Sequence, residues 1–91
     1  MIFNTQISGG GGVATTNVTL KASSNMATCY YTDKNMAYQT GFTKNLISNK
    51  PLPSNTLVCV LTNNSVTEAT GLTQIFDYSM QNIGWLLYRV N

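Results

Sequence analysis

Histidine is missing from this 91-residue chain, and charge of either sign is scarce. Without histidine, the commonest general base and the commonest metal ligand are both gone. The acids are Asp33, Glu68 and Asp77, well separated along the chain. A glycosidase needs two carboxylates facing each other about 5–10 Å apart, and nothing in the spacing of Glu68 and Asp77 brings that about. Cys29 and Cys59 are the only thiols. Neither has a histidine to activate it as a nucleophile, and two thiols fall short of the four ligands of a structural zinc site. No catalytic residue, cofactor or metal is expected, and the composition argues against an enzyme.

The other shortages narrow the class further. Charged residues make up 9% of the chain, against roughly 25% in an average protein. The net charge of +2 comes from Lys21, Lys34, Lys44, Lys50 and Arg89, scattered singly. Such scatter lacks the basic stripe that nucleic-acid binding needs, so no nucleic-acid partner is expected. No run approaches the roughly 18 apolar residues that span a bilayer, and the start lacks the basic and apolar regions of a secretory signal. The expectation is therefore no membrane partner, and a chain that stays where it is made unless it leaves within a larger particle. Two cysteines are too few for a disulfide framework. Each lies in an apolar-aromatic run, where free buried thiols are the default and one bridge between facing strands is the alternative. Trp85 follows both cysteines, so the Cys-Trp-Cys order of antibody domains is absent.

In place of charge the chain carries eleven Asn, thirteen Thr, seven Ser and four Gln. Thr suits strands and Asn suits turns. Hydrophobic content of 43% with nine aromatics is enough to build a core, which separates the chain from low-complexity disorder.

Past the first dozen residues the apolar period is close to two. In "VTLKA", Val18, Leu20 and Ala22 share one face, as in a half-buried strand. "ATCYYTDKNMAYQTGF" reads as a hairpin turning at Asp33-Lys34-Asn35, with Gly41 marking a bulge in the return arm. "KPLPSN" reads as a loop, because Pro51 and Pro53 each remove a backbone donor. "TLVCVLT" is the most apolar stretch and reads as a central strand. "VTEAT" is the one place a helix is conceivable, and its Thr content argues against that. "GLTQIFDYSM" and "GWLLYRV" supply the last two strands. In the final one Trp85, Leu87 and Arg89 share one face, and Leu86, Tyr88 and Val90 the other. Apolar residues on both faces imply a strand covered on both sides or lying against a partner. Five to seven short strands imply an all-β fold: a small antiparallel β-sandwich, immunoglobulin-like or related, of unspecified strand order.

The start, "MIFNTQISGGGG", reads as an extended N-terminal arm over residues 1–12, ahead of a β-sandwich domain over residues 13–91. Gly9, Gly10, Gly11 and Gly12 invite comparison with phosphate-binding loops. Those loops need a following helix, and here a Thr-rich strand follows, so a flexible linker is the better reading. Ile2, Phe3 and Ile7 are candidate anchors for a partner. Tyr30, Tyr38, Tyr88 and Trp85 form a candidate aromatic interface, with strand packing or a sugar-binding platform as the competing readings.

This leader, the compact Asn/Thr-rich β domain and the final "LLYRVN" together resemble small structural proteins of tailed bacteriophages: tail-fibre, baseplate-associated and capsid-decorating subunits. The resemblance implies a non-enzymatic virion protein, assembled in the host bacterial cytoplasm and held to other virion proteins through its arm. It also implies a homo-oligomer. A domain of this size keeps only a few kcal/mol of stability from its core, which favours assembly. The alternative function is a carbohydrate-binding module that uses exposed tyrosines to reach surface glycans.

Overall fold

The computed structural model describes residues 14–33, 36–62, 65–80 and 83–91. The arm over residues 1–12, with its anchors Ile2, Phe3 and Ile7 and its four glycines, lies outside the described residues, as do Lys34 and Asn35 of the first hairpin turn.

Eight strands follow in order: β1 (Thr15–Ala22), β2 (Ala27–Asp33), β3 (Met36–Gln39), β4 (Asn45–Pro53), β5 (Leu57–Thr62), β6 (Val66–Thr70), β7 (Leu72–Met80) and β8 (Ile83–Val90). They form two antiparallel sheets, β4-β1-β6 and β3-β2-β5-β8-β7, packed face to face as a small β-sandwich. The strand count exceeds the five to seven expected, because "KPLPSN" is not all loop. Pro51 and Pro53 belong to β4, opposite Asn17 and Thr15 of β1. As β4 is an edge strand, an absent N–H on its open side breaks no ladder. "VTEAT" is strand β6, paired with β1. Gly41 marks no bulge, since β3 ends at Gln39.

The two hairpins, β2–β3 and β7–β8, each stay within the five-stranded sheet, whereas the other links change sheets. The link from β3 to β4 runs along β2: Thr40 N–H donates to the Cys29 carbonyl at 3.0 Å and Thr43 N–H to that of Ala27 at 2.8 Å. Thr40 also accepts the Cys29 N–H on its hydroxyl at 3.0 Å, and its carbonyl accepts the Thr28 hydroxyl at 2.7 Å. From β6 to β7 the crossing is a single residue, Gly71, at φ +76°. A side chain there would run into the Asn17 carbonyl, so only glycine fits.

Alternation along the strands, broken at the bulges of β1 and by the adjacent buried pair Leu46 and Ile47 of β4, puts one set of side chains between the sheets. Val18 and Leu20 of β1 and Leu52 of β4 meet Cys29, Val58, Val60 and Val90 of the larger sheet, and all are fully buried. Each buried Val or Leu stabilises the fold by about 1.5–3 kcal/mol relative to exposure. Cys29 lies opposite Val60 and Tyr30 opposite Cys59. Neighbouring positions on one strand point to opposite faces, so the two thiols lie on opposite sides of the sheet and both are free.

Candidate aromatic and apolar sheet face

Alternation that fills the core leaves the other parity of the five-stranded sheet facing away from it. Three rows of side chains run across that outer face. Tyr30, Cys59, Leu87 and Phe76 are direct cross-strand neighbours in the middle row. Thr28, Leu61, Trp85 and Tyr78 form the row on one side, and Leu57, Arg89 and Thr73 the row on the other. Ordinarily such a face would be polar, giving an in-out alternation. Here Tyr30, Leu57, Phe76, Tyr78 and Trp85 are 45%, 51%, 55%, 48% and 39% exposed.

The chemistry of this face is weakly polar. Among the described residues Arg89 is its one charge, and its guanidinium donates to the Asn55 side chain at 3.4 Å, at the end of the row. Tyr30 lies directly opposite Cys59 on this face, and the neighbouring thiol raises the phenol above its ordinary value. Phe76 and Tyr78 stand side by side on β7, ring centres 6.5 Å apart and planes within 12°. A bulge between Gln74 and Phe76 re-aims β7, so that both rings share the outer face while Gln74 and Asp77 pair with Tyr88 and Leu86 on the inner side.

The four aromatics singled out from the sequence do not form one surface. Tyr30 and Trp85 are on the outer face. Tyr88 is a core residue, 4% exposed, because the register places it opposite Val58; burial raises its pKa first, and the Asp77 charge second. Tyr38 is half-buried and stacks on Tyr31 with ring centres 5.1 Å apart. Sequence reasoning missed Leu57, Cys59, Leu61 and Phe76 as members of the face, though it set Leu87 beside Trp85 on one face of the last strand. The signal was present: "TLVCVLT" is apolar at both parities, as the final strand is.

The two later carboxylates, Glu68 and Asp77, both border a cleft of about 550 Å3 at the open edge between β6 and β7. Glu68 turns outward across the smaller sheet, where Lys21 lies 3.9 Å away and the Thr70 hydroxyl donates to it at 3.1 Å. Asp77 turns inward. Among the described residues no group of three or more Cys, Asp or Glu is placed to hold a metal.

No protein-family model, curated protein or solved structure matches this chain.

Proposed function

We propose that this chain is a non-enzymatic structural subunit of a larger assembly, in the manner of the tailed-phage virion proteins that its leader resembles. The observation that carries the reading is the apolar outer face of the five-stranded sheet. Single exposed apolar residues are ordinary, but a contiguous patch on this scale marks an interaction surface. Low charge suits the same role, because little desolvation of charge opposes close packing. Attachment through the arm adds a second contact, with Ile2, Phe3 and Ile7 as anchors and the glycines as a joint.

Gradient sedimentation of a lysate from the bacterium carrying the gene tests it. The tagged chain is expected to travel with megadalton particles, and chains lacking residues 1–8 or carrying Phe76→Lys are expected at the top of the gradient. Finding the wild-type chain only as free protein would overturn the reading.

A second reading, glycan adhesion, draws on the exposed, near-parallel rings of Phe76 and Tyr78. Exposed aromatic rings can meet the apolar face of a sugar ring. Glycan-array binding lost on Tyr78→Ala would support it, and a blank array would remove it.

A further inference from the structure

We propose that the outer face of the five-stranded sheet pairs with the same face of a second copy of this chain, about a twofold axis lying between the faces and across the strands. This deepens the assembly reading by naming its first partner, and it rests on that reading only for its biological setting.

The extent of the face is the first argument. At roughly 200 Å2 per large side chain, the exposed parts of Tyr30, Leu57, Phe76, Tyr78 and Trp85 amount to on the order of 500 Å2. Two copies together would bury about 1,000 Å2, where specific interfaces begin. A twofold contact needs a self-complementary patch, and this one has Cys59 and Leu87 in the middle of three rows, with Leu61 and Leu57 in the rows on either side. Aromatic side chains stand around Cys59 and Leu87: Tyr30 and Phe76 on the flanks, with Trp85 and Tyr78 at one end.

Charge is the second argument, and it selects the axis. Among the described residues Arg89 is the one charge on the face and lies in an outer row, while Trp85 lies in the opposite outer row of the same strand. With the axis across the strands, the Arg89 row of one copy lies over the Trp85 row of the other. Each guanidinium then meets an indole face, a favourable cation–π contact, and the two Arg89 side chains stay at opposite ends. With the axis along the strands, Arg89 would lie against Leu57 and lose its hydration without return. The chosen axis also sets β5 over β5, so Cys59 faces Cys59 of the second copy. Sheets packed face to face are about 10 Å apart, which is too far for a disulfide but within reach of a short bismaleimide linker.

The experiment is sedimentation equilibrium of the full chain from 5 to 500 μM, followed by treatment with a short bismaleimide. A concentration-dependent dimer is expected, covalently trapped through Cys59, with the core thiol of Cys29 unmodified. Phe76→Lys and Leu57→Lys, both at well-exposed positions, should each weaken the dimer at least 100-fold while leaving the far-ultraviolet spectrum and urea midpoint of the monomer intact. Cys59→Ser should abolish trapping but not association. A monomer throughout the range overturns the proposal, as does a dimer that ignores both lysines. The assembly reading fails separately: a chain that dimerises as described but never joins a particle removes that reading and leaves the pairing in place. A chain that joins particles as a monomer does the reverse.

Discussion

Lys50 of β4 donates a hydrogen bond to the Tyr31 hydroxyl of β2 at 3.1 Å, tying the edge of the smaller sheet to the larger one. The same ammonium stands 4.0 Å from the centre of the Tyr38 ring and 5.5 Å from that of Tyr31. A single cation thus closes one side of the sandwich where the two tyrosines stack.

Replacing it is the first prediction. Lys50→Met keeps most of the apolar stem but loses the hydrogen bond and the cation–π contact, so a loss of about 1 kcal/mol is expected in urea unfolding at pH 7. The bond to Tyr31 raises the Lys50 pKa, opposed by slight burial and helped by the charges of Tyr31, Tyr38 and Asp33. The folded chain therefore holds this proton more strongly than the unfolded chain. Its contribution is complete below the ordinary lysine value of 10.5 and fades as pH climbs through the raised one. The difference between wild type and Lys50→Met should be constant up to pH 10 and shrink beyond it. A difference that grows with alkalinity would refute the tie.

Cys29 governs an earlier part of the same alkaline limb. Burial pushes its thiol up to about 11 from an ordinary 9.0, the Thr40 hydrogen bond opposing and the charge of Cys59 adding. The unfolded chain ionises near 9 while the folded chain keeps the proton. Stability is thus whole below pH 9 and falls between 9 and about 11, by on the order of 1 kcal/mol per pH unit. Cys29→Val should flatten that stretch of the curve, and equal slopes in both proteins would exclude the thiol as its cause. Thiol labelling at pH 8 offers an independent check, with Cys59 reacting in the native protein and Cys29 only in denaturant.

Gly71 permits a more drastic test. Alanine there combines a positive φ with a clash against the Asn17 carbonyl and a 3.0 Å approach to the Thr16 methyl. The cost of the left-handed backbone alone is about 1 kcal/mol, and the clash should bring the total to roughly 3 kcal/mol or more. For a domain this small that is a large share of its stability. Gly41→Ala, whose new methyl would meet nothing within 4 Å, is the matched control and should unfold at nearly the wild-type urea midpoint.

How the residues announced this fold is clearest in β8. Its two apolar parities, Trp85 and Leu87 against Leu86, Tyr88 and Val90, imply a strand covered on both sides or lying against a partner, and the structure sets Tyr88 and Val90 in the core. What alternation could not show was which parity faces in. That depends on the pairing of Val58 with Tyr88, a long-range register, and for the same reason Tyr88 could pass for a surface aromatic. Pro51 and Pro53 misled in a different way. A proline excludes a central strand, but whether a strand lies at an edge is a property of the sheet and not of its own sequence. The bulge that aims Phe76 and Tyr78 outward was also hidden: two residues apart, the rings share a face in any case, but the extra residue Ile75 moves that face from the side of Gln74 to the side of Thr73.

Trp85, the chain's single tryptophan, makes the outer face directly observable. It is 39% exposed in the isolated chain, and an indole in that position is partly hydrated. Emission at a few micromolar should therefore be shifted to the red of a core tryptophan and be quenched readily by acrylamide. If a second copy closes over the face, the indole loses water and meets Arg89 of that copy. Emission should then move to the blue and quenching should fall as concentration rises, with the same midpoint that sedimentation gives for the dimer. In Phe76→Lys the spectrum should keep its dilute form at every concentration. Blue emission and poor quenching at the lowest concentration would place Trp85 inside the folded monomer, contrary to the register that sets it opposite Leu61 and Tyr78.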